Sequence, residues 1–407
     1  MTYAETVNDG PLPGRRGRWL AGLAGARTPE QLRVRILKHH PAFDPAKLRR
    51  IAILGAAGEG RRLAALCLHH GIEVAAIADD DPGRVGTSLL GHSVLPTAAL
   101  AARADALPVV IASHRVLAAL HNLQAMGLHD AAPFAVLQVL APDRFPPHMF
   151  YDRLLEDTFE HRDRYRWLAD ELADDVSRQV LDAVLGFRQT LDARVLEPVV
   201  EHDLYGPAGL IRYADDEAYV DGGSYDGDTI RLFIGRVGGR FERVYAFEPD
   251  PRTFAALRRN FVDEPRVRPI NAGLYSRTGS LRFHDDGSRG AIFAEDGEID
   301  MAVTTIDDVV VDGRVTFIKM NIEGAEIDAL DGARRTIARC LPKLAISAYH
   351  RPNDLWRIAL VVREMSSKYQ LFLRQHDGGV IETVLYALPR EHGSPDRRNG
   401  VEGMAAT

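Results

Sequence analysis

YVDGGSYDGDTIRLFIGRVGGRFERVYAFEPD, residues 219–250, is the stretch that decides the fold. Its apolar opening reaches Val220 and is followed by Asp221, a loop with Gly222, Gly223 and Gly227, and a segment of helical spacing. A second apolar run, Val244 to Phe247, ends on Glu248. The pattern reads strand, glycine turn, helix and strand, with a carboxylate at the tip of the second strand. Glycine carries no Cβ, so its backbone can take φ > 0 and come close to a ligand. Glu248 follows Asp221 by 27 residues. In a parallel α/β sheet that placement lets a strand-end acid accept both hydroxyls of a ribose. A nucleoside-like ligand is expected here.

Composition narrows the rest. At 407 residues the chain exceeds one typical core, so two or three domains are expected. Apolar content of 46% with 26% charged residues is that of a soluble globular protein. A net charge of −7 argues against duplex nucleic acid as a partner, which needs clustered Lys and Arg. Cys67 and Cys340 are isolated, with neither a CxxC nor a disulfide pattern. Runs such as LPVVIAS fall well short of the ~20 residues of a membrane span. The start, MTYAETVNDGPLPGRRGRW, lacks the apolar centre of a signal peptide. A cytoplasmic protein is expected.

Residues 1–48 read as a polar leader with a short helix around Pro29 to His39. Residues 49–148 read as a small Rossmann-like domain. A strand Ile51 to Leu54, a turn with Gly55, Gly58 and Gly60, a helix, and a strand Glu73 to Ala78 lead to Asp79, Asp80 and Asp81. Those acids stand where a ribose-binding acid would be, yet three before Pro82 favour a solvated turn. Residues 149–210 carry Leu154, Leu155, Phe159, Leu168, Leu172, Val176, Val180, Leu181, Val184, Leu185 and Leu191 at three- and four-residue spacings. That predicts one or two amphipathic helices whose stripe is packing surface. Residues 211–390 alternate strands and helices, including a hairpin-like SLRFHDD and helices at Ala325 to Cys340 and Asn353 to Lys368. YQLFLRQH and ETVLYALP are joined by a short turn and so pair antiparallel. Residues 391–407 read as a disordered tail.

The blocks YVDGGSYDGDT, VYAFEPDP, NAGLYS, VTTIDDV, FIKMNIEGAEIDALDGA, LAISAYHRPNDLWRI and ETVLYALP occur in order. Over about residues 151–390 the chain resembles the FkbM family of S-adenosylmethionine-dependent O-methyltransferases. The resemblance implies an α/β fold: a class I methyltransferase Rossmann-like sheet with a C-terminal antiparallel hairpin, preceded by the smaller Rossmann-like domain and the helical connector. GAAGEGRR, ADDDP and GHSVLP in the first domain resemble the nucleotide-sugar-binding N-terminal domain of bacterial sugar acyltransferases. A scaffold or dimerisation module is the alternative reading of that domain. Two positions depart from the family pattern: Gly222 and Gly223 replace its usual "VDvGA" reading, and Asn321 stands where Asp is usual.

The implied function is methyl transfer to a hydroxyl of a sugar, glycan precursor or secondary metabolite. S-adenosylmethionine would lie across the carboxyl ends of the first strands. Gly222, Gly223, Ser224, Tyr225 and Gly227 would face its amino-acid part, and Asp221 would orient the loop or bind the ammonium. Glu248 would take the ribose. Thr229 would cap the helix or touch the cofactor, and Asn271 and Ala272 would sit near the adenine. His350 is the first candidate general base, since imidazole titrates near neutrality; Lys319, Asn321 and Glu323 are the other catalytic candidates. Glu323 and Glu326, three apart at a helix start, could share a face, cap backbone N–H groups or help hold a cation with His350 or Asp354. A divalent metal is compatible with this set but not favoured, and no metal ligand is assigned. Glu382 could face the substrate or pair with Arg374. A nucleotide-sugar at the first domain and a homodimer are the further partners this reading allows. The rivals are a two-domain NAD(P)-dependent oxidoreductase, against which the hairpin and the EGAE block speak, and a non-catalytic binding protein, for which Asn321 speaks.

Overall fold

Apolar runs separated by amphipathic helices build two separate, mainly parallel sheets. The computed structural model describes residues 17–102, 107–284, 292–293, 299–379 and 381–390, so the expected disordered tail and residues 1–16 of the polar leader lie outside the described residues. The leader helix falls at Pro29–His39 as expected, and a second helix, Arg18–Ala24, precedes it. The first sheet runs Ser88–Leu89, His92–Pro96, Glu73–Asp79, Arg50–Leu54, Val109–Ile111, Ala131–Pro133 across its width. Only the short Ser88–Leu89 strand is antiparallel.

The connector forms three helices, Leu154–Glu160, Arg162–Glu171 and Asp175–Thr190, rather than one or two. Leu172 is extended where the second ends, and Asp174 caps the third by accepting from Ser177 N–H at 2.8 Å. Its stripe is packing surface: Val180, Leu181, Leu185 and Phe187 are buried and the helix lies on strand Tyr369–Gln375. A polar knot pins these helices to helix Asp354–Met365. Asp157 accepts from Tyr165 O–H at 2.5 Å and pairs with His161 at 2.8 Å, Arg188 donates to the Tyr165 hydroxyl at 2.6 Å, and Trp356 N–H reaches Asp157 at 3.4 Å.

The second sheet has seven strands in the order Tyr369–Gln375, Thr383–Pro389, Lys343–Ser347, Phe317–Met320, Ala218–Gly222, Arg243–Phe247, Val267–Ile270. All neighbours are parallel except Thr383–Pro389, which is antiparallel to both of its partners. The expected closing hairpin is present. Val220, Ile318, Leu344 and Ile346 are wholly buried, each contributing about 1.5–3 kcal/mol relative to exposure. From Ala218–Gly222 the chain winds one way to Val267–Ile270, then returns to Phe317–Met320 on the other side. A crevice therefore opens at the carboxyl ends of these two central strands.

The hairpin-like segment pairs antiparallel as expected, Gly279–His284 with Ile299–Thr304, within a separate four-stranded sheet. One local expectation is corrected. The expected helix Ala325 to Cys340 is two, Glu326–Asp331 and Arg334–Cys340. Asp307 breaks it: its carboxylate accepts from the N–H groups of Arg335 and Thr336 and so caps the second piece. No helix among the described residues is long and apolar enough to cross a membrane.

Candidate active site

The glycine loop is built by close contact with its neighbours. Gly223 has φ 74°, and a Cβ there would lie 2.0 Å from the Asn321 carbonyl oxygen. Gly227, φ 91°, precedes helix Asp228–Arg236, and its Cβ would lie 2.1 Å from the Phe261 ring. The N–H groups of Gly223 and Ser224 both donate to Phe247 O, and Ser224 Oγ donates to Asp221 O. Lys319 Nζ donates to the carbonyls of Gly222 and Gly223 at 3.1 and 2.9 Å. With these groups engaged, the loop offers a ligand mainly close backbone approach.

Asp221 is turned inward. It is fully buried, with Oδ1 2.9 Å from Lys319 Nζ and Oδ2 accepting from Thr229 Oγ1 at 2.6 Å. Of the two expected roles it fills loop orientation; an ammonium has no access. Burial raises its carboxyl pKa against the pull of Lys319. Thr229 makes no capping bond with its side chain; it serves Asp221 instead. Lys319, a catalytic candidate from the sequence, is spent on the same structure.

Glu248 ends strand Arg243–Phe247 beside that loop. Its Oε2 accepts from Tyr225 N–H at 2.9 Å and its Oε1 from Asp250 N–H at 3.0 Å. Burial pushes its carboxyl up to about 7, although both amides favour the anion. Tyr225 reaches Glu248 from a left-handed backbone, φ 49°. Asn271 and Ala272 follow the next strand; Asn271 Nδ2 donates to the carbonyls of Glu248 and Pro249, and Ala272 is buried.

Across the crevice, His350 is wholly buried beneath the rings of Phe150 and Tyr349. Its Nδ1 is 3.0 Å from Glu326 Oε1 and its Nε2 is 3.7 Å from Glu323 Oε2. Burial disfavours the imidazolium, but Glu326, Glu323 and Asp354 outweigh it and raise the pKa to about 9. The acids thus favour the charged ring, which makes His350 a weaker proton acceptor than a free imidazole would be. Glu326 Oε1 also accepts from Ile322 N–H at 2.9 Å, as a cap should. Glu323 lies before the helix with φ 55°, so the two acids do not share a helix face; they meet on His350 from different directions. Ligand atoms of Glu326, His350 and Asp354 lie within 4.8 Å of one another. Asn321 Oδ1 accepts from Tyr349 O–H at 3.1 Å.

Arg374 pairs with Asp174 at 2.8 Å, which removes it as the partner of Glu382. Glu382 stands at the carboxyl-end rim with φ 63°. Of the two sequence alternatives for Glu382, only the substrate-facing one is left; Gln375, which ties its loop, carries no signal in the sequence. The first sheet's loop is likewise close-packed: a Cβ on Gly60 would lie 1.8 Å from Gly55 O. Asp79 accepts from the N–H groups of Ala56 and Asp81, so it clamps that loop and forms the turn together. Segment 146–150 lies between the two sheets. Arg62 donates to Pro146 O at 2.8 Å, and Phe150 meets Tyr349 and His350. An open cleft of about 530 Å³ lined by Arg314, Lys343 and Pro389 lies at the opposite, amino ends of the strands and takes no part in this site.

Residues 221–378 match the methyltransferase FkbM domain, and the chain carries that domain. The crystal structure of methyltransferase FkbM from Methylobacillus flagellatus KT is 28% identical, with TM-score 0.67, and is matched over 88% of this chain and 100% of that one. The hexuronic acid methyltransferase AglP of Haloferax volcanii is 31% identical over 137 residues, 32% of this chain and 57% of the relative. The 2-O-methyltransferase NoeI of Sinorhizobium fredii is 25% identical over 148 residues, 30% of this chain and 60% of the relative. The chain thus spans less than two thirds of the length of both curated relatives.

Proposed function

We propose that this protein transfers a methyl group from S-adenosylmethionine to a hydroxyl of a sugar or glycan precursor. One observation carries the reading: the glycine turn at Gly223 and the Glu248 carboxylate stand side by side at the carboxyl ends of adjacent parallel strands. The residues suit the cofactor, because the turn packs so tightly on Asn321 and Phe261 that only glycine fits at 223 and 227, and it carries its backbone beside the Glu248 carboxylate. In this reading Glu248 takes the ribose hydroxyls, supported by Asn271, whose side chain bonds the Glu248 carbonyl. S-adenosylmethionine supplies an electrophilic methyl on a sulfonium, so most of the protein's work is alignment. The hexuronic acid named for one curated relative, and the O-methyl transfer named for the other, favour a sugar hydroxyl over other alcohols. The antiparallel Thr383–Pro389 strand and the matched domain both disfavour the nicotinamide reading.

The nucleotide-sugar role of the first sheet stays within the proposal; the close-packed turn at Gly55 and Gly60 with Asp79 supports it. Calorimetric titration of S-adenosylmethionine, with NAD⁺ as control, into wild type and Glu248→Ala tests the central reading. S-adenosylmethionine binding that weakens at least about tenfold in the variant is expected. A preference for NAD⁺ would overturn it.

A further inference from the structure

Glu382 enters strand Thr383–Pro389 with a left-handed backbone, a conformation that a residue with a side chain keeps only when its surroundings impose it. Those surroundings are explicit. Fully buried Gln375 donates from Nε2 to the carbonyls of Asp377, Gly379 and Ile381 at 2.6, 3.1 and 2.8 Å, and Thr383 Oγ1 donates to its Oε1. The same loop rests on helix Val116–Ala125 of the first domain and the turn before it. A Cβ on Gly378 would lie 2.4 Å from Leu117 Cβ, and one on Gly379 would lie 3.3 Å from His114 O. Such bracing fixes the direction of one carboxylate.

That carboxylate is poised rather than used. Its Oε2 is buried and accepts no hydrogen bond among the described residues. The charges around it are Lys319 and His350, which favour its anion, and Asp377 and Glu323, which oppose it. The hydroxyls of Tyr205 and Tyr349 also feel its charge. Burial pushes its carboxyl up, as suits a proton acceptor working near neutral pH. The other candidates suit the role less well: the acids around His350 favour its charged ring, Lys319 is paired with Asp221, and Asn321 is neutral.

We propose that Glu382 is the general base that takes the proton from the acceptor hydroxyl, an inference that rests on the methyl-transfer reading above. The acceptor oxygen bonds to the methyl carbon as the carbon–sulfur bond breaks, leaving its electron pair on sulfur as a neutral thioether. The hydroxyl proton passes to a Glu382 carboxylate oxygen, so the carboxylate's charge and the sulfonium charge vanish together.

Glu382→Gln in the full chain tests this, because it keeps the shape and removes the base. Three readouts are compared with wild type: calorimetric S-adenosylmethionine affinity, infrared titration of ¹³C-labelled glutamate carboxyls, and methyl transfer to D-glucuronic acid and UDP-glucuronic acid against pH. Affinity within about twofold shows that the variant folds. Turnover should fall about 10²–10⁴-fold and the low-pH limb of kcat/KM should disappear. A carboxyl band titrating above the ordinary glutamate range should be lost as well. Turnover within about threefold of wild type, or an unchanged low-pH limb, would overturn the proposal. Wild-type protein that binds no S-adenosylmethionine would instead overturn the underlying reading and take the proposal with it.

Discussion

Lys319 Nζ lies 2.9 Å from Asp221 Oδ1, both side chains are essentially free of solvent, and the two residues are register partners on adjacent strands. The ammonium also holds the carbonyls of Gly222 and Gly223, so one buried cation ties the strand end to the glycine loop. Removing one partner of a buried pair strands the other charge and costs about 3–5 kcal/mol. Lys319→Met should lower stability by that amount in denaturant titration. Lys319→Met combined with Asp221→Asn should cost less than the two single changes together. A loss below about 1 kcal/mol for Lys319→Met would show that the loop is held by other means.

Glu248→Ala should weaken S-adenosylmethionine binding about 10- to 150-fold, the worth of hydrogen bonds to a charged acceptor. Because burial raises the Glu248 carboxyl to about 7, affinity should climb as pH rises through that value and level off above it. The stability effect has the opposite sign. The folded state holds the proton more tightly than the unfolded one, so stability falls as pH rises from the ordinary 4.5 to about 7. Glu248→Gln should flatten both curves; calorimetry and thermal melts at stepped pH report them.

The cofactor side of this site was legible in the sequence because glycine and strand-end acids act through backbone geometry, which local pattern encodes. Gly223, Gly227 and Glu248 fall where the pattern puts them. The acceptor side was not. The roles of His350, Lys319 and Glu382 depend on which charges tertiary contact brings to them, and those partners lie 24 to 98 residues away for His350 and Lys319. The same holds for the fold. The parallel strands announced themselves as apolar runs, whereas the helix break before Arg334 depends on the distant carboxylate of Asp307.

His350 supplies a pH signature. Its folded pKa of about 9 exceeds the ordinary 6.5, so its stabilisation is complete below pH 6.5 and is lost as pH rises through 9. His350→Gln should therefore be most destabilised relative to wild type at pH 6 and approach it near pH 9.5, as read from denaturation midpoints at fixed salt. A constant gap across that range would mean that the ring is neutral when folded, and His350 would return as a candidate base.

Gly223 and Gly235 make opposite predictions from the same substitution. At Gly223 a methyl group would meet the Asn321 carbonyl at 2.0 Å and φ is 74°, so alanine must move the loop or strain the backbone. Left-handed backbone alone costs an alanine about 1–2 kcal/mol, and the displaced carbonyl adds to it. Gly223→Ala should thus be destabilised by more than about 2 kcal/mol and should lose S-adenosylmethionine binding. Gly235 lies inside helix Asp228–Arg236, and a Cβ there meets nothing within 4 Å. Gly235→Ala should stabilise the protein by about 0.5–1 kcal/mol, because alanine gives up less chain entropy in a helix, and should leave cofactor affinity alone. If both variants bound alike, the loop would be too pliant to shape the site, and close backbone approach would no longer explain why glycine stands at 223.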